Sequence, residues 1–207
     1  MNTSVLRYVI LVLVAWAVTA CDAPARSEEP STNREPSVNY AMLPQPVVPL
    51  QDIMTALVDP AADFLWESVS TEVSAAGTVE HLPRTDEEWR AVRRHAVMLT
   101  EGANLLALPG RMVVLPGHEL EDAGTPGNLA AAEVQTAMQD YWPAFAGFAA
   151  ALREVGNTMY QASLDRDPEV ILETGERLDT VCESCHLQFW YPGQYIPPVD
   201  EQLSRLK

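Results

Sequence analysis

The chain has 207 residues, with 29 acidic side chains against 13 Lys and Arg and a formal net charge of −16. So few cations cannot neutralise a run of phosphates, which excludes nucleic acid as a partner and leaves an acidic, well-solvated surface as the expectation. Three cysteines, two of them at 182 and 185, exclude a fold stapled by a disulfide framework.

Arg7 is followed by a largely apolar run from Tyr8 to Ala20 and then by Cys21. A bilayer-spanning helix needs about 20 apolar residues, so 1–20 reads as a cleaved export signal. Val18-Thr19-Ala20-Cys21 resembles the bacterial lipobox, in which the cysteine is lipidated and becomes the new N-terminus. Cys21 is therefore the expected lipidation site, holding the chain at a membrane on the periplasmic side. Asp22 resembles an inner-membrane retention signal and tilts the expectation that way. Residues 21–49 are rich in Pro, Ser, Glu and Asn with no sustained apolar period. Such a segment cannot bury enough surface to offset its ordering entropy and reads as a disordered, extended tether. Residues 50–192 amount to one domain, followed by a C-terminal tail at 193–207.

Four helical stripes follow the tether. In the first, Met54, Val58, Ala62, Leu65, Val69 and Val73 form an inner face. Pro60 interrupts it, either kinking one helix or, with Asp59, opening a fresh one. In the second, Thr85 and Glu88 have capping-box spacing. Trp89, Val92, Ala96, Leu99, Ala103 and Leu106 then recur every three or four residues up to Pro109-Gly110. A short helix is expected within 129–138. The third stripe carries Phe145, Phe148, Leu152, Val155, Met159 and Ala162 after Pro143 in a first-turn position. The fourth has Asp167 as N-cap and Pro168 at the first helical position, with Ile171, Thr174, Leu178, Val181 and Cys185 inward. No strand pattern competes. The expected fold is all-α, an antiparallel up-down-up-down four-helix bundle.

The last stripe contains Cys182-Glu183-Ser184-Cys185-His186. A structural zinc site wants four Cys or His ligands, and His81, His95 and His118 are scattered singly. A reactive dithiol usually opens a helix, where the dipole lowers the thiol pKa, whereas this pair closes one. A third reading uses every residue of the motif: two thioether bonds from Cys182 and Cys185 to haem, with His186 ligating the iron. Export fits that reading best, because haem of this type is attached outside the cytoplasm.

Helices of this pattern with Cys-x-x-Cys-His near the C-terminus resemble the class II cytochromes c, the cytochrome c′ and c556 type, over roughly residues 50–190. The most specific segment is Cys182 to Phe189; where the family commonly has a basic residue next, this chain has Trp190 and then Tyr191-Pro192. The resemblance implies covalently bound haem c and single-electron transfer, with redox proteins as partners, and it admits a homodimer. In an up-down-up-down bundle the start of the first helix and the end of the fourth share one pole. Met54 therefore belongs near His186, and its place resembles the axial methionine of c556-like members. Met112 and His118 in the loop after Gly110 are rival ligands at the same pole, while His95 and His81 belong to the far half. Arg111 stands where it could partner the haem propionates. Trp142, Phe145, Trp190 and Tyr191 are expected to wall the pocket. The alternative function is a five-coordinate protein binding nitric oxide or carbon monoxide. No acid–base pair or nucleophile triad is visible, so an electron carrier rather than an enzyme is expected.

Overall fold

The computed structural model describes residues 43–194. The export signal, Cys21, most of the tether and nearly all of the tail lie outside those residues.

The first helical segment is continuous but not uniform: α1 (Leu50–Ile53), a π-helical turn (Met54–Val58) and α2 (Asp59–Ser68). Pro60 causes this. It has no N–H to donate, and its ring would meet the carbonyl four residues back in an ordinary α-turn. The helix responds by widening: the Asp59 N–H reaches the Met54 carbonyl, five residues back. Asp59 makes no cap, and the helix neither breaks nor restarts. Val58, Ala62, Leu65 and Val69 are buried as the stripe requires, with Met54 half-buried.

Val73 departs from that stripe and is 78% exposed. It lies on β1 (Ser70–Ser74), which pairs antiparallel with β2 (Gly77–His81), from Ser70 opposite His81 to Ser74 opposite Gly77. This hairpin corrects the all-α expectation. Its β-branched residues Thr71, Val73, Thr78 and Val79 favour strands, yet almost every position is exposed. With no buried face, there was no apolar alternation to read. Gly77 closes the two-residue turn at φ +131°, a conformation costly for any other residue.

The remaining helices are α3 (Asp86–Leu106), α4 (Ala131–Asp140), α5 (Trp142–Asp165) and α6 (Pro168–Phe189). The capping box on α3 is complete: Thr85 Oγ1 accepts the Glu88 N–H at 3.2 Å, and Glu88 Oε2 accepts the Thr85 N–H at 2.8 Å. The Asp167 carboxylate accepts the first free N–H groups of α6, from Glu169 at 3.0 Å and Val170 at 3.2 Å. Pro143 sits in the first turn of α5, where a missing N–H costs nothing.

Helix α3 packs along α5, α5 along α6, and α2 against both α3 and α6. The α3–α5 contact is close enough to require glycine: a Cβ on Gly156 would lie 2.6 Å from Thr100 Oγ1. Leu65, Leu99, Met159, Ile171 and Leu178 are fully buried between these helices. The protein is mostly helical, with one small two-stranded sheet.

The start of α1 is anchored. Leu50 and Gln51 donate to the carbonyls of Met112 and Val113 at 2.8 and 3.1 Å, and Gln135 Oε1 accepts the Val113 N–H at 2.9 Å. The start of the first helix is thereby tied to the loop after α3 and to α4.

Candidate functional site

A cavity of about 130 Å³, partly open to solvent, lies where α6 ends and the first helix begins. The walls are apolar: Leu50, Met54 and Val58 from the first helix, Leu106 from α3, Val134 from α4, Phe145, Phe148 and Leu152 from α5. Helix α6 contributes Val181, Cys182, Cys185, His186 and Phe189, with Trp190 after it. Few polar groups converge, as expected of a site that orients a largely apolar ligand.

Six of the residues singled out in the sequence therefore meet here: Met54, Phe145, Cys182, Cys185, His186 and Trp190. Trp142 stands behind the wall, its ring 5.7 Å from that of Phe145. Tyr191 is not a lining residue but touches His186 from outside the cavity, its hydroxyl 3.3 Å from Nδ1. Met112 and His118 are exposed and do not line this cavity. His95 is stacked on Phe64 at 3.8 Å, its Nδ1 2.8 Å from the Ala91 carbonyl. His81 lies on β2 with Glu72 at 3.9 Å.

Arg111 is 97% removed from solvent, being only 3% exposed, and does not line the cavity. Its terminal nitrogens donate to the carbonyls of Val48 and, at 2.9 Å, Leu105. Those carbonyls take the donors that the sequence reading reserved for a propionate. The side chain instead pins the approach to α1 against the end of α3.

Cys182 and Cys185 are free and half-buried. Burial is the main reason that the Cys182 thiol is pushed up to about 11 and Cys185 to about 12. Nearby carboxylates, Asp179 foremost, add to the effect at Cys182. A reactive dithiol needs the reverse shift. Burial lowers the His186 pKa, partly countered by Glu183 and Asp59, so its imidazole is held neutral with one nitrogen lone pair to give. Among the described residues there is no group of three or more His, Cys, Asp or Glu side chains placed to hold a metal ion. A haem brings its own four nitrogens and asks the protein for two thiols, one imidazole and at most one further ligand. Cys182, Cys185, His186 and Met54 meet that demand within one apolar cavity, and the residues present fit the group.

Several lining residues were not marked for the site by sequence reasoning. Phe148 is one turn on from Phe145 along the same stripe, a signal that was present. Leu120 sits in a loop with no period to betray it. Trp190 and Tyr191 were marked after α6, but the bonds that hold this chain were not: the Trp190 carbonyl accepts the Leu129 N–H at 2.7 Å, and Trp190 Nε1 donates to Asp122 at 3.2 Å. Gly193 donates to the Gly127 carbonyl at 3.3 Å. Gly127 has φ +94°, and a Cβ on it would lie 2.9 Å from the backbone of Gln194. This strap of chain after α6 thus requires glycine at 127 on both counts.

Among the described residues no helix is long and apolar enough to cross a membrane. No family model, curated protein or solved structure matches this chain.

Proposed function

We propose that the protein is an exported class II c-type cytochrome that transfers single electrons. The observation that carries the reading is that Cys182, Cys185 and His186 line one apolar cavity with Met54, which comes from a different helix. The packing of α2 on α3 and α6, of α3 on α5 and of α5 on α6 supports an antiparallel up-down-up-down four-helix bundle around it.

Cys182 and Cys185 would be the covalent attachment points for haem c, His186 the proximal iron ligand and Met54 the distal one. Bound there, the haem iron would supply a one-electron ferrous–ferric couple. The chain supplies the rest. The neutral imidazole of His186 offers a nitrogen without first losing a proton. The soft thioether of Met54 favours the reduced state and raises the potential. Phe145, Phe148, Phe189 and Trp190 exclude water from the site, with Phe189 edge-on to Phe145 at 5.4 Å and to Phe148 at 6.2 Å. The protein is read as a carrier rather than an enzyme. Lipidated Cys21 would hold it at the periplasmic face of the inner membrane, where redox proteins are its partners.

The test is to express the full chain with a haem-maturation system and measure its intact mass and its haem stain after denaturing electrophoresis. One covalently added haem, lost in the Cys182→Ser/Cys185→Ser double variant, is expected; two free thiols and no added tetrapyrrole would overturn the reading. Carbon monoxide added to the reduced protein then separates carrier from gas binder. An unchanged Soret band supports Met54 ligation, and an immediate shift identifies a five-coordinate protein that binds carbon monoxide or nitric oxide.

A further inference from the structure

Helix α6 ends one turn after His186, and the chain folds back so that the N–H groups of Trp190 and Tyr191 both donate to the His186 carbonyl, at 2.8 and 2.9 Å. This return places the Tyr191 hydroxyl between two side chains. It lies 2.7 Å from Glu183 Oε2 and 3.3 Å from His186 Nδ1. Glu183 occupies the first position between the two cysteines, one turn back along α6.

The direction of these bonds follows from the donor inventory. An ionised carboxylate only accepts, so Glu183 takes the single proton of the phenol. The phenol oxygen then presents a lone pair to His186, and Nδ1 must carry a hydrogen for the contact to be attractive. The other nitrogen, Nε2, keeps its lone pair and has no hydrogen-bond partner among the described residues. Trp190 flanks the ring edge-on, centroids 4.9 Å apart at 85°, and limits its rotation.

We propose that Tyr191 and Glu183 are positioning residues for His186, holding the imidazole as the Nδ1–H tautomer, presenting Nε2 to the cavity, and relaying the carboxylate's charge to the ring. The tautomer follows from the hydrogen bonds alone; the consequence for the metal rests on the reading of His186 as the iron ligand. A histidine that donates its second nitrogen's proton toward a carboxylate is both oriented and made a stronger electron donor. Such a donor stabilises ferric iron and lowers the potential, against the pull of Met54.

The experiment uses the haem-loaded full-length chain and measures two quantities, the reduction potential and the solvent exchange of the His186 Nδ1 proton in the ferrous state. Tyr191→Phe is expected to speed that exchange tenfold or more and to raise the potential, by up to about tenfold in the one-electron equilibrium (~59 mV). Glu183→Gln keeps an acceptor oxygen for the phenol but removes the charge. It is expected to raise the potential by less while leaving the exchange slow. Unchanged exchange and potential in Tyr191→Phe would overturn the proposal. Should that variant fail to fold, an unchanged potential in Glu183→Gln overturns the relay. The ¹⁵N spectrum of His186 in the full-length chain before haem addition reads the tautomer without any metal. An Nε2–H signal there overturns the tautomer assignment even if haem attachment succeeds, and an Nδ1–H signal stands even if haem attachment fails.

Discussion

Met54 and His186 line the same cavity, the first from the π-helical turn that precedes Pro60, the second from the end of α6. Met54 opens that turn, and its carbonyl accepts the i+5 bond from Asp59. If Met54 is the distal ligand, Met54→Ala should let carbon monoxide bind the ferrous protein without a displacement step. It should also lower the potential, since a soft thioether is lost. The side chain is half-buried, so the stability cost should be about 1–2 kcal/mol, below the full large-to-small range. A wild-type-like carbon monoxide response in the variant would remove Met54 from the iron.

Arg111 joins Val48 and Leu105 through their carbonyls and so fixes the entry to the helix that carries Met54. Arg111→Met keeps the length of the side chain but strips both carbonyls of their donor. Each buried group left unpaired costs about 1–3 kcal/mol, and urea unfolding should show a loss of roughly 2–4 kcal/mol with an unchanged slope. The potential of the loaded chain should change little. A large change in potential at intact stability would restore the propionate role instead.

How far the sequence could be read depends on which residues had a buried face. The stripes of α3, α5 and α6 were legible because Leu99, Met159 and Leu178 must be inside, and the caps at Thr85 and Asp167 because orphan N–H groups must find acceptors. The hairpin at 70–81 buries almost nothing and left no period. At the site, chemistry at fixed spacing marked Cys182, Cys185 and His186, and pole-sharing brought in Met54. The partners of Arg111 were not legible because a loop arginine's contacts are set by the fold, here by the carbonyl of Leu105 at the end of α3 and that of Val48, 63 residues away. Trp190 and Tyr191 were marked as aromatics beside the motif, but how the strap from Trp190 to Gln194 is held was not legible: its bonds go to Gly127 and Leu129, which no local pattern connects to it.

The cysteines should be chemically quiet before haem is added. With thiols pushed up to about 11 and 12 from an ordinary 9.0, the thiolate fraction at pH 8 falls by about two orders of magnitude at Cys182 and three at Cys185. Site-resolved mass spectrometry of iodoacetamide labelling on the full-length chain should show correspondingly slow modification of both, restored to the free-thiol rate in urea. Rapid native labelling would mean that the cavity does not bury them.

Acid should loosen the start of α3. Glu88 accepts the N–H of Arg84 at 2.7 Å and that of Thr85 at 2.8 Å, and these bonds hold its carboxyl below the usual 4.5. Because the folded chain binds this proton less readily than the unfolded one, the contribution is complete above the unfolded value and disappears as pH falls through the folded value. Glu88→Gln should therefore melt below wild type at pH 7, with the gap closing from about pH 5 downward. A gap of constant size across that range would show that the carboxylate charge is not what the box uses.

Gly127→Ala tests whether the strap matters to the site. The substitution meets two obstacles, a φ of +94° and a Cβ 2.9 Å from the Gln194 backbone. The left-handed conformation alone costs about 1–2 kcal/mol, and the contact can be relieved only by moving the strap. Released from Gly127 and Leu129, Trp190 would no longer hold its bond to Asp122 or its edge-on contact with His186. Hydrogen exchange at the Leu129 and Gly193 amides should quicken while the amides of α3 and α5 stay protected, and water should reach the cavity from the side that Trp190 covers. Uniform loss of protection would instead make the strap part of the global fold rather than a local closure over the end of α6.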